Sequence, residues 1–183
     1  MNRIGPYTRA AFALSVAVAL ATPLFGRQSA ATTSPAGVDR LMAYSGQWKI
    51  ETQSFDTANS KAGRDTHTLV NDCWKSDAWV ACRQIVDGKS QVLLVFTCPG
   101  DGDNCTSYPI SADGSPAGSG KLVITGNTWT FPWTTTQNGK TTWFRVVNEW
   151  SSPTTIEFHQ EFSTDGTHWV RMTAGHEVKQ SNP

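Results

Sequence analysis

Glu157, His159 and Glu161 alternate at the two-residue spacing of a strand, so an imidazole and two carboxyls share one face. In a cleft such a trio would suit acid–base work; on an outward face it is solvated charge, and the outward face is where it is expected. Arg145 and Arg171 are two guanidiniums expected on one mostly apolar inward face, and buried guanidiniums need an anion, an acceptor network or an aromatic ring beside them. The four cysteines fall into close pairs, Cys73 with Cys82 and Cys98 with Cys105, each bracketing a turn. Four cysteines allow three connectivities, and the two local disulfides are expected because each would pin the register of a hairpin. Zinc is the alternative, but there is no Cys-x-x-Cys spacing. No Gly-x-Ser-x-Gly, no His-Glu-x-x-His, no phosphate loop and no isolated cysteine nucleophile occurs, so no catalytic residue, metal site or cofactor is assigned.

The elements that must position these residues are short strands. After a turn or two of helix at 38–44, strands are predicted over 47–55, 65–74, 79–86, 91–98, 106–111, 121–125, 128–135, 140–150, 154–163 and 167–179. Asp87-Gly88, Gly126-Asn127, Asn138-Gly139 and Asp165-Gly166 are strong hairpin signals between them. Ten strands joined only by hairpins describe an all-β, ten-stranded antiparallel up-and-down β-barrel, since closure removes both sheet edges. Such a barrel either fills its interior or holds one small ligand.

Arg3 and Arg9 precede an apolar stretch over 10–21, and Ser29-Ala30-Ala31 is a small-x-small cleavage pattern, so 1–31 reads as a signal peptide and 32–37 as a polar leader. The barrel domain is expected over 38–180, in a periplasmic or secreted protein. The signal would carry away three of the fifteen basic residues and none of the fifteen acidic ones. A mildly acidic remainder argues against nucleic acid and against stable association with anionic membranes.

Gly46-x-Trp48 after the helical turn, Asp113-Gly114 before Gly126-Asn127-Thr128-Trp129-Thr130-Phe131, and Ser163-x-Asp165-Gly166-x-x-Trp169 resemble the lipocalin-like domain of unknown function found in many exported bacterial proteins. The resemblance covers Val38 to Lys179; the cysteine pairs and Ser45 lie outside that pattern. It implies a calycin-type barrel with an interior cavity, with Gly46, Trp48 and Trp169 in structural roles.

Register assigns the faces. A two-residue turn at Asp165-Gly166 would pair Phe162 with Trp169, Gln160 with Arg171 and Phe158 with Thr173. A four-residue turn over 151–154 would pair Arg145 with Gln160 and Val147 with Phe158. One face then carries Trp143, Val147, Ile156, Phe158, Phe162 and Trp169, crossed by a row of Arg145, Gln160 and Arg171. This mostly apolar face is expected inside. The row would clamp a ligand carboxylate, as in fatty-acid-binding barrels; alternatively Arg171 stacks on Trp48 and closes the floor. Trp129, Phe131 and Trp133 alternate against a threonine-rich face, so Trp129 and Trp133 are expected to line the pocket. His159 and His176 fall on the outward face, and could ligate haem iron only if the faces were inverted. The reading is an exported protein binding a small apolar or amphipathic molecule, with a carboxylate where the row acts as a clamp, through Arg145, Gln160, Arg171, Trp143, Phe158, Phe162, Trp129 and Trp133. A haem- or metal-binding barrel and a calycin-type enzyme using His and Glu are the alternatives.

Overall fold

The structure, a computed structural model, describes residues 37–99 and 103–181. A short 3-10 helix, Gly37–Tyr44, leads into ten strands: β1 Gly46–Ser54, β2 Gly63–Lys75, β3 Trp79–Val86, β4 Lys89–Thr97, β5 Asn104–Ser111, β6 Gly120–Thr125, β7 Thr128–Gln137, β8 Lys140–Ser152, β9 Thr155–Ser163 and β10 Val170–Lys179. Each pairs antiparallel with its chain neighbours, and β1 pairs with β10 to close the barrel. The expected fold is therefore the observed one. Both disulfides form as expected, Cys73–Cys82 across β2 and β3 and Cys98–Cys105 between the end of β4 and β5. The expected signal and all of the expected leader but Gly37, which opens the helix, lie outside the described residues.

One end of the barrel is plugged. Leu41 and Tyr44 of the helix drop onto Trp48, Trp129 and Ile156, all at most 9% exposed. Tyr44 meets Trp129 edge-on at 4.9 Å, and Trp150 lies 5.2 Å from Trp129 and 5.8 Å from Trp48. The Trp48 indole N–H donates to the Tyr44 carbonyl at 2.9 Å, tying the helix end to the floor. Gly46 earns its place in the Gly-x-Trp step through a φ of 128° and a close neighbour: a Cβ there would stand 2.7 Å from Lys179 Cε. Lys179, in turn, holds its ammonium 5.3 Å from the Trp48 ring centre and 3.3 Å from the Ala43 carbonyl. The cation on the floor tryptophan is thus Lys179 and not Arg171, which the alternative reading of the arginine row put there.

Two β-bulges, in β8 and β10, decide which side chains of those strands face in. Between β8 and β9 the ladder slips at Ser151, so Trp150 pairs with Ile156 but Ser152 with Thr155. Beyond it Arg145 lies opposite Glu161 and Val146 opposite Gln160, one residue off the expected register. Between β9 and β10 the slip falls at Met172: Arg171 pairs with Glu161, yet Thr173 pairs with Gln160. The loop before β10 has six residues, 164–169, where a two-residue turn was expected. Because side chains alternate with a period of two, each one-residue slip turns a strand segment over.

Candidate functional site

The barrel encloses a cavity of about 420 Å³ between the plugged floor and the other end. Ile50, Leu69, Leu94, Phe96, Phe131 and Phe158 supply most of its walls. Phe158 fits because its partner on β10 is Gly175, where a Cβ would lie 2.8 Å from the Phe158 ring and 2.1 Å from the Glu51 carbonyl oxygen. A glycine at this point lets β1 and β10 close and leaves the ring room.

Polar side chains are set among these apolar walls, and several are paired with one another. Asn148 donates to the Tyr44 hydroxyl at 2.7 Å, and Gln84 donates to Asn71 at 3.1 Å. Burial pushes the Tyr44 hydroxyl upward, against the lowering effect of the Asn148 bond. His67 reaches the cavity from β2, with Nδ1 2.7 Å from Asp87, whose other oxygen accepts the Thr68 N–H at 2.9 Å. The Thr68 N–H first, and then His67, hold the Asp87 carboxyl below its usual range. Glu177 differs from all of these. It sits between Ile50 of β1 and Ile156 of β9, lines the cavity, and makes no hydrogen bond or ion pair among the described residues. Burial pushes its carboxyl up to about 7.

Of the expected site residues, Phe158 and Gln160 line this cavity. Phe162, 7% exposed, lies on the same side of β9 with its ring 6.4 Å from Phe144. Trp129 is inside but part of the floor, 3% exposed, while Trp133 stacks on Phe144 at 5.3 Å and remains 37% exposed. The inward row of Arg145, Gln160 and Arg171 is not formed. The slip at Ser151 carries Trp143 and Arg145 to the outer side with Val147, and Phe144, Val146 and Asn148 turn inward in their place. The slip at Met172 leaves Arg171 outside too.

Outside, both arginines converge on Glu161, itself only 7% exposed. Arg145 approaches one carboxylate oxygen through Nε at 2.8 Å and Nη2 at 2.6 Å, and Arg171 approaches the other at 3.7 Å. Trp169, from the loop before β10, lies with its ring centre 4.0 Å from the Arg145 guanidinium carbon. His159 stands 3.7 Å from Glu161, with its imidazole held below its usual range chiefly by burial. An outer hollow of about 560 Å³ brings His159 and His176 together with Glu51, Glu149 and Glu157. Among the described residues no group of three or more His, Cys, Asp or Glu is arranged to hold a metal ion.

The loop that buries this cluster is locally organised. The Ser163 hydroxyl accepts the Gly166 N–H at 2.9 Å, and Asp165 accepts the N–H groups of Thr167 and His168, each at 2.8 Å. The His168 and Thr167 bonds drive the Asp165 carboxyl far below its ordinary value. The Ser-x-Asp-Gly-x-x-Trp motif therefore builds a six-residue loop that lays Trp169 on Arg145.

The fold is a closed ten-stranded antiparallel barrel. The crystal structure of Rv2717c from M. tuberculosis superposes on this barrel with a TM-score of 0.50 at 11% identity, over 79% of this chain and 97% of that one. No family model matches the sequence, and no curated protein matches it. At so low an identity the likeness concerns the course of the backbone alone. Two disulfides fit a non-reducing compartment, and no helix among the described residues is long and apolar enough to cross a membrane.

Proposed function

We propose that this chain is an exported, lipocalin-like binding protein that carries a small, largely apolar molecule inside its barrel. The observation that carries the reading is the cavity of about 420 Å³, walled by aliphatic and aromatic side chains above an aromatic floor. That size and lining suit a compact apolar ligand held by a few polar contacts. Export is supported by the basic and apolar N-terminal segment with its cleavage pattern, and by the two disulfides. The carboxylated end anticipated from the arginine row has no basic partner of that row in the cavity, because Arg145 and Arg171 are engaged outside by Glu161.

A titration with an uncharged apolar dye, N-phenyl-1-naphthylamine, tests the reading. The expected result is saturable dye fluorescence with a dissociation constant on the order of micromolar. Val146→Trp, which fills the cavity, should abolish it while leaving the far-ultraviolet dichroism unchanged. No saturable signal from the wild-type protein would overturn the proposal.

A further inference from the structure

We propose that Glu177 makes the barrel selective for apolar molecules ending in an amine, so that the preferred ligand is an amphiphilic or arylalkyl ammonium ion. The inference rests on the cavity reading and gives it a chemical class. A carboxyl between Ile50 and Ile156 that lines the cavity, with no hydrogen bond or ion pair among the described residues, offers its oxygens to whatever enters. The polar groups nearby do not supply a donor. Asn148 spends its amide on Tyr44, and Gln84 spends its amide on Asn71. Lys179, on the same side of β10, turns its ammonium to the Trp48 ring and the Ala43 carbonyl. An incoming ammonium would meet an unused acceptor in a water-poor site, where a charge-assisted hydrogen bond is strongest. An incoming carboxylate would meet a like charge, and an alcohol would gain a hydrogen bond without the attraction of opposite charges. The apolar walls take the remainder of the molecule.

The titratable groups facing Glu177 are few. Tyr44 comes from the helix, His67 lines the cavity from β2, and Lys179 follows two residues on along β10. The flanking residues on β1 and β9 are isoleucines. Glu177 is held up to about 7, so raising the pH from 5.5 to 8.5 ionises it and should tighten amine binding. Protonation of His67 at low pH would act in the same direction, which a variant must separate.

The test displaces N-phenyl-1-naphthylamine from the full chain with three matched compounds, 2-(1-naphthyl)ethylamine, 2-(1-naphthyl)ethanol and 1-naphthylacetic acid. At pH 8.5 the amine should bind at least tenfold more tightly than the alcohol, and the acid most weakly. The advantage should shrink severalfold at pH 5.5. Glu177→Gln should erase it, chiefly by weakening the amine, and His67→Gln should retain it. Should Glu177→Gln not fold, calorimetry of the wild type in buffers of different ionisation enthalpy decides: near pH 7 the amine should release about half a proton and the alcohol none. Equal affinity for amine and alcohol with the dye still bound would overturn the selectivity and leave the cavity reading standing. So would loss of the pH dependence in His67→Gln. Failure of the dye itself to bind the wild type would overturn the cavity reading, and this proposal with it.

Discussion

Glu161 and Glu177 sit on neighbouring strands, on opposite sides of one sheet, and the protein treats them in opposite ways. Glu161 faces out, yet it is buried beneath the loop before β10 and receives Arg145, Arg171 and His159. Glu177 faces in and receives nothing among the described residues, so burial alone pushes it up to about 7. The outer carboxylate is a joint in the architecture, where the charge of each partner answers the other. Its inner counterpart costs stability whenever it is ionised, a cost that is reasonable only where a ligand can offset it.

The comparison requires a closed wall between the two sides, and the largest effect is expected where that wall is tightest. Gly175→Ala would drive a methyl group to 2.1 Å from the Glu51 carbonyl oxygen and against Phe158, so it should destabilise by about 3 kcal/mol or more in urea titrations. A near-neutral result would mean that β1 and β10 are not seamed as described. Glu161→Gln should cost about 2 kcal/mol, because it leaves the Arg145 guanidinium, held against Trp169, without an anion. If denaturant melts show no loss, the outer joint is not one.

Glu177→Gln should act with the opposite sign, and only at high pH. Its carboxyl holds a proton more tightly in the folded state than its ordinary value of 4.5 allows. Its favourable contribution is therefore complete below about pH 4.5 and is lost as the pH rises through about 7. The variant should match the wild type near pH 4.5 and exceed it by about 2 kcal/mol at pH 8, and parallel stability curves across that range would refute the inner half of the contrast. Arg171→Met should move stability least, by less than about 0.5 kcal/mol, since its pair with Glu161 is long and its side chain half exposed. A large loss would restore Arg171 to the barrel floor, the position Lys179 occupies.

The contrast was only partly legible in the sequence. Asx-Gly turns and alternating strands suffice for ten strands and their order, and the cysteines bracket their hairpins, because these are signals local to a few residues. Gly46 and Trp48 are legible for the same reason. Faces are not local. They depend on register carried across Ser151 and Met172, where bulges leave no mark in residue type, so Arg145 and Arg171 read as inward and are outward. The fate of β9 differed: its inward side is the expected one, with Phe158, Gln160 and Phe162 all on it. Glu177 could have been found, since the alternation that puts Thr173 inside reaches it two steps later. Its chemistry shows only once Ile50 and Ile156 are placed beside it.

The helix that plugs the floor also determines how the molecule can be held. The chain comes into the barrel through Gly37–Tyr44 and leaves it after Lys179, whose backbone N–H is bonded to the Thr154 carbonyl while Gln180 donates to Gln47. Both ends of the domain thus emerge at the sealed floor, and the six-residue loop before β10 stands at the opposite pole with Trp133 and the ends of β7 and β9. A tether joined directly to Gly37 or just after Lys179, whether a biotin handle on a sensor chip or a fused carrier, would orient every barrel with the pole of the 164–169 loop toward the solution.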